Sequence, residues 1–510
     1  MDWTTGYVTD VAYTYGYYGE LNPQRARMAL LHAGLACPEV TTACELGFGQ
    51  GVSANIHAAA SGVEWYATDF NPAQASFAQG LARASGAKLR VFDEAFEAFC
   101  TRTDLPDFDF IGLHGIWSWI SRANRAVIVE FLRRKLKVGG VLYISYNTLP
   151  GWSGFAPMRK LMAQHAEVMA AQGAGRETRV NGAIDFIDRL NALNPMFSRA
   201  NPQIAERMEK IKTLSRNYLA HEYFNADWEP MYFSEMHDQL SQAKLSYACS
   251  ANLLDSVEVA NMTAQQIEFL RQIPDVAMRE TTRDFIGNHQ FRRDYWVKGA
   301  RMLDRAGHKA AVRALRVILI TPPESITPTV KTPIGEATLS EKVYKPIIHA
   351  LADHKPHSLE EISQVLIKEG VDPSQLMQCV VMLLSMNHLS LAQEVMATNQ
   401  ATKTANALNQ HIMQLARGND DVQELASPVT GGGYSTNRFF QLFLLARQQG
   451  QKTPRQMAEF AWLQIKAFGQ SLSKEGKALS GDEENLKELT TLAEQFEQKQ
   501  LPLYKALQIA

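Results

Sequence analysis

Apolar positions follow two periods along residues 40–146 of this 510-residue chain. Short runs rich in β-branched and aromatic residues occupy 40–46, 63–69, 89–93, 107–114 and 141–146, and they predict five strands. Between them, 52–60, 73–85 and 122–136 place apolar residues at helical spacing. Asn71-Pro72 opens the second of these helices, and Lys137-Val138-Gly139-Gly140 is expected to stop the third. Regular strand–helix alternation predicts an α/β fold, a parallel sheet covered by crossover helices. Further along, the pattern turns almost wholly helical, with helices expected over 156–171, 177–192, 202–216 and 262–274. A β-like run at 312–321 leads into a Pro- and Thr-rich linker at 321–338. Helices then follow over 341–353, 358–369 and 373–387, ending in a short strand, and again over 436–448, 453–470 and 484–498.

The chemistry gathers at the tips of the predicted strands. The first ends in Glu45-Leu46-Gly47-Phe48-Gly49-Gln50-Gly51. Glycine lets a backbone approach a ligand closely, and a helix start offers free N–H groups. The dinucleotide fingerprint needs its third glycine at position 52, which is Val52. The second strand ends in Asp69-Phe70, where an acid can accept the two hydroxyls of a ribose or cap the next helix. Asp93 and Glu94 end the third strand, where a solvated turn is the plain reading. His114-Gly115 ends the fourth, followed by Trp117 and Trp119. Tyr7, Tyr13, Tyr15, Tyr17 and Tyr18 near the start pack on the sheet or close over a pocket.

Bulk properties narrow the classes. A net charge of −2 gives no basic field for nucleic acid or an anionic membrane. The three helices of 341–387 resemble a winged-helix fold, but 373–387 holds no Lys or Arg, so a protein-contact role is expected there and not DNA binding. Five scattered cysteines suggest neither disulfides nor a zinc site. No apolar run reaches the ~18 residues of a membrane span, and no signal peptide opens the chain, so a cytoplasmic setting is expected. Arg283, Arg292 and Arg293 are read as an ion-paired or solvated face, with an anion site as the alternative.

The glycine loop, HGIWSWIS (114–121) and YNTLPGW (146–152) together resemble class I S-adenosylmethionine (SAM) methyltransferases, whose fold is Rossmann-like. YLAHEYFN (218–225), PMYFSEM (230–236) and RDFIGNHQFRRD (283–294) resemble the methyltransferase regulatory domain found with some of them, including rickettsial lysine methyltransferases of outer-membrane protein B. The likeness covers about residues 7–300. It implies a SAM-binding domain at 1–154, a helical insertion at 155–215 (cover or homodimer contact) and a regulatory domain at 216–310. Residues 311–510 form a C-terminal domain, winged-helix-like at 340–392. The resemblance implies SAM on Tyr18, Glu45, Gly47, Gly49, Gly51, Asp69, Phe70, Asp93, Glu94, His114 and Gly115, with no metal. Catalysis is expected from His114, Trp117 and Tyr146, acting on a protein lysine. A surface sugar as acceptor, or an inactive SAM-binding scaffold, remain the alternatives.

Overall fold

The structure is a computed structural model that describes residues 14–171, 173–225, 227–368, 370 and 372–510; Tyr7 and Tyr13 lie outside them. Its centre is a seven-stranded sheet. Five strands follow the predicted runs: β1 (Thr42–Leu46), β2 (Glu64–Asp69), β3 (Leu89–Asp93), β4 (Phe108–Leu113) and β5 (Leu136–Asn147). The crossovers are α2 (Val52–Ala60), α3 (Pro72–Ser85), α4 (Phe96–Thr101) and α5 (Arg122–Lys135), preceded by α1 (Pro23–His32). Asn22 and Asn71 cap α1 and α3 with side-chain oxygens, each ahead of a first-turn proline.

The segment 137–140 is strand and not a helix stop. Helix α5 ends at Lys135, and β5 starts at once because Leu136 pairs with Phe108. Lys137 Nζ holds Asp109 at 2.8 Å, and a register irregularity takes up the glycines.

The sheet also runs past residue 154. Strands β6 (Leu245–Ser250) and β7 (Phe291–Lys298) complete the order β3-β2-β1-β4-β5-β7-β6. Strands β1 to β5 are parallel, and β7 is antiparallel to β5 and β6. Residues expected in a separate domain at 216–310 therefore finish the sheet. The helical insertion covers Ala156–Val168, Arg176–Ala192, Met196–Ala200 and Gln203–Thr213.

Alternation along the strands sorts the core into two layers. Ala43, Trp65, Tyr143, Tyr295 and Val297 face α1, while Cys44, Tyr66, Ile144, Tyr146 and Trp296 face α5. In the C-terminal part, Arg305–Arg313 is helical where a strand was expected to begin. Asp304 caps it by accepting from the Gly307 amide at 2.7 Å. The strand is only Arg316–Leu319, and it pairs with His357–Ser358 and Leu389–Ala392 beside three helices. The expected linker contains a hairpin, Thr329–Thr332 with Gly335–Thr338. A helix not foreseen, Val395–Leu415, packs on α2 and α3.

Candidate functional site

A cavity of about 290 Å³ opens at the carboxyl ends of β1, β2 and β4, where ligands sit in doubly wound sheets. Its walls include Thr14, Gly16, Tyr18, Glu45, Gly47, Gly49, Asp69, Phe70, Glu94, His114 and Gly115. The glycine loop is tight for a steric reason. Gly47 has φ +73°, and a Cβ there would lie 2.9 Å from Ile116. Gly51 has φ +71°, and its Cβ would meet Ala78 at 2.5 Å; it serves the α2–α3 approach and is not on the cavity wall.

Two carboxylates dominate the floor. Glu45 is 2% exposed, and its Oε2 has no hydrogen-bond partner. Burial, with the neighbouring Asp69 charge, pushes it up to about 8. Asp69 accepts from the Gly49 amide at 2.9 Å and the Asn71 amide at 3.0 Å. Burial still pushes it up to about 6 against those bonds. Of the two acids expected at the third strand's tip, only Glu94 reaches the cavity. Asp93 is exposed and off the wall, whereas Glu94 lines it and accepts from Arg102 at 2.6 Å. In all, Glu45, Asp69, Glu94, Glu97 and Asp227 face the cavity, with no Lys or Arg among the described lining residues. Such a field favours a cationic ligand and opposes phosphate.

His114 stacks on Tyr18 with ring centroids 3.5 Å apart, and its Nδ1 lies 2.7 Å from the Tyr143 hydroxyl. Burial lowers it to about 4, so it is neutral at physiological pH. The Gly115 amide donates to Ser145 Oγ at 2.7 Å.

Two expected catalytic residues are elsewhere. Trp117 is fully buried under a 3₁₀ turn, Trp117–Trp119, and Trp119 lines the cavity instead. Tyr146 points to the α5 side of the sheet, where its hydroxyl donates to Asp294 at 2.9 Å. Strand alternation is the cause: Tyr143 and Ser145, on the other face, are the residues that reach His114 and Gly115. Two tryptophans of the helical insertion region are covered by guanidinium groups. Arg159 lies over Trp228 at 4.7 Å, and Arg207 over Trp152 at 4.1 Å.

The sequence reading missed Asn225 and Asp227, which line the cavity from far along the chain. Just before them, Glu222 is half-buried and pushed up to about 7, chiefly by burial. After burial, its charge also helps to raise the phenols of Tyr18 and Tyr218. Nothing in its local sequence announces this position.

Among the described residues, no group of three or more His, Cys, Asp or Glu could hold a metal ion, and no helix is long and apolar enough to cross a membrane.

Comparisons with known proteins agree with this architecture. Residues 215–298 match the family described as a predicted methyltransferase regulatory domain. An uncharacterised protein of Synechocystis, sll1526, is 38% identical over 100% of both chains. The uncharacterised RP789 of Rickettsia prowazekii is 27% identical over 56% of this chain and 51% of its own. The fold superposes on PKMT2 of Rickettsia typhi, solved in complex with AdoHcy, with TM-score 0.68 and 16% identity. That match covers 95% of this chain and 98% of the other.

Proposed function

The chain belongs to the class I SAM-dependent methyltransferases that carry a methyltransferase regulatory domain, and on that premise we propose that it methylates the ε-amine of a lysine on a cell-envelope protein. One observation carries the cofactor half of the reading: a cavity with five carboxylates and no described cation on its walls. SAM brings an ammonium and a sulfonium to such a field, whereas a dinucleotide brings phosphates. The orphaned Glu45 oxygen suits the amino-acid end, and the glycine loop leaves room that a side chain at Gly47 would fill. Asp69 suits the ribose, and Glu94 with Ala95 and Phe96 the base.

Bound there, SAM supplies an activated methyl group and leaves as a neutral thioether. The protein has to align the acceptor, exclude water and take one proton. A free lysine has pKa ~10.4, so about one in 10³ is neutral at pH 7. Asp227 on the cavity wall attracts the ammonium, and Glu222, raised to about 7 chiefly by burial, is the candidate to accept its proton. His114, held by Tyr18 and Tyr143, orients the amine; at about 4 it is a weak base. His114→Ala is therefore expected to slow lysine methylation up to about tenfold, the worth of one orienting hydrogen bond, without abolishing it. Complete loss would make His114 the base.

The test is incubation of the protein with methyl-labelled SAM and a cell-envelope extract. A labelled protein band that yields methyl-lysine on hydrolysis supports the reading. Label in polysaccharide would move the acceptor to a sugar hydroxyl, and no label would favour an inactive scaffold.

A further inference from the structure

The strap at 14–21 joins two parts of the molecule that are distant in sequence. Its residues alternate. Thr14, Gly16 and Tyr18 face the cofactor cavity. Tyr15 and Tyr17 face away from it into packed surroundings: Tyr15 meets Phe77 of α3 at 5.0 Å between ring centroids, and the Tyr17 hydroxyl accepts from the Gly433 amide at 2.8 Å. Just beyond the strap, the Asn22 side-chain amide donates to the Gly431 carbonyl at 3.3 Å. On the other side, the Tyr18 amide donates to Ser53 Oγ at 2.8 Å, and His57 Nε2 lies 3.4 Å from the Tyr18 carbonyl.

Gly433 belongs to the hairpin of Glu424–Ser427 and Gly432–Ser435. That hairpin is fixed to the helix Val395–Leu415, because Asn409 both donates to the Ala426 carbonyl and accepts from its amide. The helix in turn sits on α2, where Thr404 donates to the Ala59 carbonyl at 2.7 Å. The strap thus lies between α2, which starts at the glycine loop, and a hairpin more than four hundred residues away in sequence.

We propose that this C-terminal hairpin positions the cofactor cavity, acting through Tyr17 to hold Tyr18 stacked on His114. Tyr17 is a positioning residue: it touches neither the cavity nor His114. The inference rests on the cofactor reading of the cavity and gives the C-terminal domain a task that the sheet alone does not need.

The experiment is calorimetric titration of the full chain with AdoHcy, beside a thermal melt. Tyr17→Phe removes the acceptor of the Gly433 amide and is expected to weaken AdoHcy about five- to tenfold, the usual worth of one hydrogen bond. Gly433→Ala puts a methyl 3.0 Å from the Tyr17 ring and is expected to do the same from the hairpin side. It also carries the test if Tyr17→Phe does not fold. Thr404→Val cuts a contact between the same two regions away from the strap. It is expected to lower the melting temperature and leave the affinity unchanged. Wild-type affinity in both Tyr17→Phe and Gly433→Ala, or an equal loss in Thr404→Val, overturns the proposal. A wild-type chain that binds no AdoHcy sinks the cofactor reading first, and this inference with it.

Discussion

Two groups of buried acids flank this sheet, and burial alone does not tell them apart. Asp69, at the cavity, and Asp294, on β7, are both pushed up to about 6, chiefly by burial. Their partners differ. Around Asp294, the Arg292 guanidinium reaches three carboxylates: Asp284 at 2.7 Å, Asp294 at 2.9 Å and Glu280 at 3.2 Å. Tyr146 adds a hydrogen bond to Asp294. At the cavity, Glu45 has an unbonded oxygen, and no described cation stands on the walls. The first group carries its own countercharge and holds strands together. At the second, Glu94 has Arg102, but Glu45 and Asp69 have no described cation beside them. A buried acid without a cation is the more informative sign of a site.

The largest expected effect breaks the paired group. Arg292→Ala strands three acids without their cation and is expected to cost about 3–5 kcal/mol of stability, read by urea unfolding. A variant as stable as wild type would mean the acids simply take up protons. Next, Glu45→Gln removes a charged acceptor from the unpaired group. It is expected to weaken AdoHcy by about 1.5–3 kcal/mol while leaving stability at pH 8 equal or higher, by calorimetry and melting. Unchanged affinity would refute the assignment.

The third prediction concerns pH. A complex with ionised Glu45 needs its proton removed first, and free Glu45 titrates near 8. Affinity should therefore fall towards tenfold per unit as pH drops below 8, and binding near pH 7 should release about one proton. Titration in buffers of different ionisation heat measures that release. The sign for the free protein is opposite. Its Glu45 pKa is raised, so this contribution to stability is present below the ordinary carboxyl range and is lost as pH rises towards 8. The smallest effect is Tyr146→Phe. It should cost about 1 kcal/mol of stability through the lost Asp294 bond, with the methyl-transfer rate unchanged. A large fall in rate would return Tyr146 to the chemistry.

The cavity's first half was legible because strand tips, glycines and acids sit close together in the chain. Two further wall residues, Asn225 and Asp227, are brought near only by the fold. Strands β1 to β5 show their period openly. Strand β7 hides it, since Arg292 and Asp294 are buried as a pair and look like a solvated face in sequence. The helix Val395–Leu415 was missed because its Thr, Asn and Gln residues blur the apolar stripe; Thr398 and Asn409 are themselves buried. Trp117 and Trp119 differ only by a turn of 3₁₀ backbone, which spacing does not reveal.

Strand β7 lies between β5 and β6, yet it is made last: 143 residues lie between Asn147, where β5 ends, and Phe291, where β7 opens. During synthesis at about 5–20 residues per second, the ribosome leaves the edge of β5 bare for roughly 7–30 seconds. An open edge of that kind invites pairing with another nascent chain. A chain that stops short of Phe291 is therefore expected to give a lower soluble yield on expression than the full chain.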